Sequence, residues 1–330
     1  MYETPFHKEN ISNCSFLVTG GAGFIGSHIV EYLVRHKAGK IRILDNFSTG
    51  FKNNIRPFLS APGVELLEGD ICKAGDCNQA CKDIDYVSHQ AALGSVPRSI
   101  KDPLSTHQTN VTGFINMLLA SRDAGVKKFV YASSSSVYGD STTLPKTEDK
   151  TGNPLSPYAV SKQADELYAR VFALNYGMQI SGLRYFNVFG PRQSPEGPYA
   201  AAIPLFIRLL LDNKSPVING DGNQTRDFTF VSNVVQANIK AFFFAAETPG
   251  KVFNIAAGEK ISINELFSTI QKNTGGSQPP VYRPERPGDI RDSLADISLA
   301  EKYLGYGSLV KFREGIQITL DWFLKEGGKH

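Results

Sequence analysis

Apolar positions along the first half of the chain follow two alternating rhythms. Short segments rich in apolar and β-branched residues occur at Ser15–Thr19, Lys40–Asp45, Val64–Glu68, Tyr86–His89, 129–133 and Ile180–Tyr185. A strand covered on both faces reads this way, because neither side of its pleat meets water. Between them lie longer segments with apolar residues three and four apart. In Phe24–Arg35 the residues Ile25, Ile29, Tyr32 and Leu33 share one helical face, and residues 104–124 and Pro157–Tyr176 carry similar patterns. Strand, helix, strand in succession predicts a doubly wound parallel sheet with helices on both faces, an α/β fold of the Rossmann type. After about Asn187 the rhythm changes. Prolines and glycines become denser, strands shorten, and helices at 232–246 and Ile263–Thr274 are separated by loops. The expected division is a Rossmann domain over residues 1–187 and a smaller α/β substrate-binding lobe over 188–330. Segments 228–230 and 252–255 are candidates to return to the main sheet.

Composition narrows the class. A chain of 330 residues makes one large domain or two ordinary ones. Its net charge of +3, with Lys and Arg spread along the chain, argues against a nucleic-acid partner. The four cysteines, Cys14, Cys72, Cys77 and Cys81, form no Cys-x-x-Cys pair and have no zinc-type His pair nearby. They read as reduced thiols, with no metal expected. Residues 1–13 lack the apolar core of a secretory leader. No apolar run reaches the ~18–20 residues of a membrane span. The best, 200–211, is interrupted by Pro204 and Arg208. A soluble cytoplasmic protein with no membrane partner is expected.

The first strand runs into Gly20-Gly21-Ala22-Gly23-Phe24-Ile25-Gly26. Glycines at this junction allow a tight turn, a close backbone approach to a pyrophosphate, and packing of helix on strand. The helix N-terminus then presents its unpaired N–H groups to phosphate. Asp45 closes the second strand about 20 residues on, where a carboxylate meets the ribose hydroxyls of NAD. No basic residue follows at once in Asn46-Phe47-Ser48-Thr49-Gly50, so NAD is expected rather than its phosphorylated relative.

Further on, Tyr158 and Lys162 stand four apart on a predicted helix and therefore share a face. Upstream, Ser133-Ser134-Ser135-Ser136-Val137-Tyr138-Gly139 follows a predicted strand. A phenol beside a lysine cation and a positive nicotinamide ring is favoured as phenolate, which makes it a usable base. With the glycine motif, these residues resemble the extended short-chain dehydrogenase/reductase superfamily across nearly the whole chain. Within it, the chain is most similar to the bacterial UDP-N-acetylglucosamine 4-epimerase group that prefers N-acetylated sugars. Residues 89–103 (HQAALGSVPRSIKDP), 132–140, 154–162, 183–193 (LRYFNVFGPRQ), 199–204, 218–228 and 286–296 carry the resemblance.

The resemblance implies roles. Ser134 holds the 4-hydroxyl of the sugar, Tyr158 is the base, and Lys162 is its electrostatic partner and a ribose anchor. Gly20, Gly23, Gly26, Asp45, Asn46, Asp70, Ile71, Ala91 and Asn110 match cofactor-contacting positions. Phe24, Ile25, Ser48, Gly50, Gln90, Ala92 and Tyr185 join them. Asn187, Arg226, Arg286 and Asp289 match positions that hold the UDP group. Ser95, Ser134, Ser135 and Ser293 face the sugar. Ser293, seven positions after Arg286, matches a pocket wall whose small size admits an N-acetyl group. The implied reaction withdraws hydride from carbon 4 to NAD, turns the tethered 4-keto sugar over, and returns hydride to its other face. A homodimer formed through 104–124 and Pro157–Tyr176 is implied too, with Phe114, Met117, Leu118, Leu167, Val171 and Phe172 as apolar candidates.

Neighbouring activities fit less well. Sugar 4,6-dehydratases carry acids where Ser135 and Ser136 stand, and UDP-glucuronate decarboxylases carry Glu at the place of Ser136. A hydroxyl cannot replace an acid that must protonate a leaving group. UDP-glucuronate 4-epimerases share the serine run, and Arg98 leaves uronic acids and N-acetylated uronic acids open as substrates. An NAD-sensing scaffold without chemistry is disfavoured by the presence of Ser134, Tyr158 and Lys162 together.

Overall fold

The computed structural model describes residues 1–196, 200–245, 249–285 and 291–326. Strand β1 (Ser15–Thr19) leads through the glycine turn into α1 (Phe24–Arg35) and on to β2 (Lys40–Asp45). A single turn, α2 (Lys52–Ile55), precedes β3 (Val64–Glu68), and α3 (Ala74–Cys81) returns the chain to β4 (Tyr86–His89). Two short helices, α4 (Val96–Lys101) and α5 (Pro103–His107), continue through a widened π turn at Gln108–Thr112 into α6 (Gly113–Asp123). Then come β5 (Lys128–Ser134), α7 (Pro157–Tyr176) and β6 (Ile180–Tyr185).

Beyond β6 the elements shorten: β7 (Val188–Phe189), α8 (Ala202–Leu211), β8 (Val217–Asn219), β9 (Thr225–Arg226) and β10 (Thr229–Phe230). Helix α9 (Val231–Phe242) precedes β11 (Lys251–Ile255), β12 (Ile261–Ser262), α10 (Ile263–Thr274) and β13 (Val281–Arg283). Helices α11 (Ser298–Leu304) and α12 (Phe312–Glu326) close the described chain.

Seven strands form one sheet in the order β11-β6-β5-β4-β1-β2-β3, every neighbouring pair parallel. From β1 the chain winds one way through β2 and β3, and from β4 the other way through β5 and β6. The crossovers therefore diverge between β1 and β4, and a crevice opens at the carboxyl ends of those strands. The inner strand β6 is buried at all six residues, as its sequence pattern predicts. Edge strand β3 exposes Glu65, Leu66 and Glu68.

The structure departs from the sequence pattern in three places, at 104–124, at 228–230 and at the bounds of the helix expected over 232–246. Residues 104–124 do not form one regular helix, because the π turn swings Asn110 toward a loop and another helix. Its Oδ1 accepts from Leu93 N (2.8 Å) and its Nδ2 donates to Ser161 Oγ (3.0 Å). Single π turns of this kind occur where a side chain must be re-aimed. Segment 252–255 does join the main sheet as part of β11, on the outer edge of β6. With that edge taken, β10 pairs with β7 in a separate two-stranded sheet. Helix α9 begins at Val231 and ends at Phe242; Ala246 lies outside the described residues.

Phe114, Met117 and Leu118 are buried between α6 and the sheet with Phe129 and Tyr131, and Phe172 joins the same core. Four of the six apolar residues expected at a dimer contact thus pack internally. Leu167 and Val171 stay on the surface of α7, 62% and 48% exposed.

Candidate active site

The crevice is a cleft of ≈ 580 Å³ that runs from the glycine turn to the start of α7. At one end stand Gly20, Gly23, Phe24, Ile25 and Gly26. Gly20 has φ +64°, and a Cβ there would come within 2.7 Å of Ala91 N, so only glycine lets the turn lie against the end of β4. A Cβ on Gly26 would drive into the Gly20 carbonyl. Helix α1 starts at Gly23 with no side-chain cap and no acid in its first turn, which leaves its N-terminus suited to phosphate.

Asp45 ends β2 at the cleft wall. Its Oδ2 accepts from Ala22 N (2.9 Å) and its Oδ1 from Phe47 N (2.8 Å). Burial pushes its carboxyl up, against the pull of those two N–H donors. Each oxygen has a second acceptor site, as ribose hydroxyls require. Asn46, Ser48, Gly50, Ile71, Gln90, Ala91 and Ala92 continue the lining. Asp70 and Asn110, expected at the cofactor, are not among the residues that line the cleft but hold ones that are. Asp70 Oδ2 accepts from Asn46 Nδ2 (3.2 Å), and Asn110 holds Leu93. The cradle of close-packed glycines, the bare helix end and the carboxylate together fit a dinucleotide.

At the other end the lining is Ser95, Ser134, Ser135, Tyr158, Lys162, Tyr185 and Asn187, with Arg98. Helix α7 starts sharply here: Ser156 Oγ accepts from Ala159 N (3.1 Å) and Pro157 occupies the first turn. One helical turn then carries Tyr158 and Lys162 into the same cleft. Lys162 Nζ donates to Ala132 O (3.0 Å) and to Asp165 Oδ2 (3.1 Å). Ser134 ends β5 and caps the turn Ser135–Tyr138, its Oγ accepting from Ser136 N (3.1 Å).

A buried network fixes this serine turn against α7. Glu166 takes both guanidinium edges of Arg184 (2.8 and 2.7 Å) and accepts from Ser133 Oγ (2.5 Å). Arg184 Nη1 donates to Tyr138 Oη (2.9 Å), which donates in turn to Asn254 Oδ1 (2.6 Å). Tyr185, Gln90 and Asn238 close a ring beneath the cleft. Tyr185 Oη donates to Gln90 Oε1 (3.2 Å), Gln90 Nε2 to Asn238 Oδ1 (3.0 Å), and Asn238 Nδ2 to Tyr185 Oη (2.8 Å). The sequence reading missed Glu166, Arg184 and Asn238. Glu166 alone carried a signal, standing four residues after Lys162.

At Asn187, Val188 and Gln193 the cleft meets a second cavity of ≈ 360 Å³. Phe206, Phe228 and Ile218 line its apolar side, and Asn219, Gln224 and Arg226 its polar side. Arg226 Nη1 donates to Thr225 O (2.8 Å) and Arg291 O (3.2 Å). Next to it, buried Asp227 accepts from Ala257 N (3.0 Å) and Ala295 N (3.2 Å), tying three loops together; burial pushes its carboxyl up to about 6. Ser293 is 8% exposed, its N–H donates to Thr225 O (3.2 Å), and it stands outside the lining of both cavities. Arg286 and Asp289 lie outside the described residues.

Among the described residues no cluster suited to a metal occurs, and no helix is long and apolar enough to cross a membrane. The four cysteines are free thiols, with burial pushing Cys77 up to about 12 and Cys81 to about 11.

Comparison with known proteins agrees with this geometry. The model of the NAD dependent epimerase/dehydratase family matches residues 16–256. A putative UDP-glucose 4-epimerase of Methanocaldococcus jannaschii is 41% identical, over 93% of this chain and 97% of its own. The structure of UDP-N-acetylglucosamine 4-epimerase from Methanobrevibacter ruminantium, in complex with UDP-N-acetylmuramic acid, superposes with TM-score 0.90 at 40% identity, covering 95% of this chain and 99% of that one. UDP-glucuronic acid 4-epimerase from Bacillus cereus, in complex with UDP-glucuronic acid and NAD, superposes with TM-score 0.88 at 32% identity, covering 94% and 99%.

Proposed function

This chain belongs to the NAD dependent epimerase/dehydratase family and is a UDP-sugar 4-epimerase; we propose that its sugar is UDP-N-acetylglucosamine, interconverted with UDP-N-acetylgalactosamine. The observation that carries this reading is the meeting of the two cavities at Asn187, Val188 and Gln193. Ser134, Tyr158 and Lys162 line the cleft that ends in the glycine cradle, and the adjoining cavity carries Arg226, which supports a nucleotide-sugar bound across both.

Bound NAD supplies a reversible acceptor for the hydride of carbon 4. Tyr158 takes the proton of the 4-hydroxyl, and Ser134 holds the 4-oxygen by a hydrogen bond. The Lys162 ammonium favours the phenolate. Arg226 grips the diphosphate, since a guanidinium fork pairs with phosphate oxygens. The 4-keto sugar, held by its diphosphate, turns and presents its other face. Tyr158 would then return the proton to the 4-oxygen, and return of hydride to the new face would invert the configuration. Arg286 and Asp289 complete the grip on the UDP group in this reading.

The small residues Gly94 and Ser95 in the cleft wall favour an N-acetylated sugar, whereas the relatives at 40% and 41% identity are named for both kinds of sugar. A second reading, a uronic acid or an N-acetylated uronic acid, is favoured by Arg98, which lines the same cleft and carries the charge to read a carboxylate. Incubation of the purified protein with UDP-N-acetylglucosamine, UDP-glucose, UDP-glucuronate and UDP-N-acetylglucosaminuronate, with products resolved by NMR, separates the readings. Turnover of glucuronate alone would overturn the first.

The protein pairs with a second copy in this proposal. Val160, Leu167, Val171 and Leu174 form an exposed apolar stripe on α7, and Ile100 and Leu104 extend it on the adjoining α4 and α5. Burying such a stripe is the usual reason for one on a surface helix. Sedimentation at micromolar concentration should give a dimer, and a monomer there would refute it.

A further inference from the structure

The catalytic lysine has a counter-ion that the reaction scheme does not use. Lys162 Nζ has three N–H donors. One goes to Ala132 O and one to Asp165 Oδ2, while Lys162 also lines the cleft. Asp165 is three residues further along α7, so it sits one turn deeper on the same face, with no exposed surface. Its Oδ1 has no hydrogen-bond partner. A buried carboxylate with half its acceptors unused is costly unless its charge is needed.

Other groups around the pair do not compete for Lys162. Glu166 on α7 is occupied by Arg184 of β6 and by Ser133. His89, at the end of β4, is held neutral by burial and by the Lys162 charge, which lower it to about 3. Tyr131 on β5 is held neutral by burial. Arg122 of α6 pairs with Asp123 and lies over Tyr176, at the far end of α7. On the π turn, Asn110 has no titrating side chain, and the charges acting on Asp165 are those of Lys162 and Glu166. Arg98, Lys101 and His107 of α4 and α5 are not among them.

We propose that Asp165 is a positioning residue that holds the Lys162 ammonium with its third N–H aimed into the cleft, so that the field beside Tyr158 is set by the Lys162–Asp165 pair rather than by Lys162 alone. Two consequences follow from electrostatics. At low pH the carboxyl is protonated and the ammonium acts unopposed. As the carboxyl ionises, it holds the ammonium by charge as well as by hydrogen bond. Burial pushes the Asp165 carboxyl up, to about 7, against the pull of Lys162.

The inference rests on Tyr158 and Lys162 being the reacting pair, and Asp165→Asn tests it with little change of shape. Its kcat/KM profile should run parallel to that of the unaltered enzyme on the acid side. On the alkaline side, where the unaltered protein holds Lys162 with an ionised carboxylate, it should lie roughly ten-fold below. A profile lowered equally at every pH would reduce Asp165 to a packing residue and overturn the proposal. A second measurement needs no turnover. The 13Cγ resonance of Asp165, assigned by its absence from Asp165→Asn, should titrate at higher pH in Lys162→Met than in the unaltered protein. An unmoved titration would overturn the pairing. Absence of any UDP-sugar turnover in the unaltered enzyme would instead refute the proposed function, with the resonance still reporting on the pair.

Discussion

In the half of the cleft that holds Tyr158, Ser134 ends the seven-residue strand β5, and Tyr158 and Lys162 stand on the twenty-residue helix α7. At the second cavity, Arg226 stands on the two-residue strand β9, paired with the two-residue strand β12. The first region is backed by connected buried hydrogen bonds from Ser133 through Glu166 and Arg184 to Asn254. The second is gathered by one carboxylate, Asp227, which collects N–H groups from separate loops. Proton transfer needs atoms held to fractions of an ångström, which long paired elements provide. Recognition of a diphosphate and a turning sugar needs grip with room to move, and short strands joined by loops provide that.

The largest expected effect tests the rigid half. Tyr158→Phe keeps shape and removes the proton acceptor, so kcat should fall by at least ~100-fold with UDP-sugar binding retained. Near-normal turnover would break the assignment of chemistry to this side. Arg226→Ala probes the other side: KM for the UDP-sugar should rise by roughly 10- to 100-fold, the value of a charge-assisted hydrogen bond, with kcat little changed. A fall in kcat with KM constant would mean that the lobe shares in the chemistry.

Ser293→Tyr sharpens the comparison within the lobe. A ring in place of a small buried side chain should lower the ratio of kcat/KM for UDP-N-acetylglucosamine over UDP-glucose by about 10-fold. Because Ser293 stands outside the lining of both cavities, an unchanged ratio would place the specificity wall elsewhere.

The smallest effect is on stability and comes from behind the rigid half. His89 is packed against Phe114 and Phe129, and burial holds it neutral down to about 3. Its folded pKa lies below the unfolded value near 6.5, so its contribution is complete above that pH. It is lost as pH falls toward 3, because only the unfolded chain takes up the proton. In His89→Asn, denaturant midpoints measured between pH 7 and 4 should fall less steeply than in the unaltered protein. Equal slopes would show that His89 is not an acid-sensitive point of the core.

The sequence alone determined the sheet and pointed to its glycine-rich end and to Tyr158 and Lys162, which the fold brings into one cleft. Each rests on local signals: apolar-rich segments for strands, glycines where a Cβ would strike backbone, Asp45 at a strand end, and Tyr158 and Lys162 one helical turn apart. Such signals survive because the physical constraint acts within a few residues of the one that shows it. Only the tertiary structure decided what lies between distant segments. It put Phe114, Met117 and Leu118 under the sheet rather than on a dimer face, since a helix pattern shows that a face is buried but not against what. It drew Asn110 out of the cleft lining through a π turn that no periodicity announces. It closed the ring of Gln90, Tyr185 and Asn238, whose members are up to 148 residues apart. And it set Asp165 against Lys162: the spacing permits that contact, but only the burial of Asp165 beneath the cleft lining holds the two together as a pair.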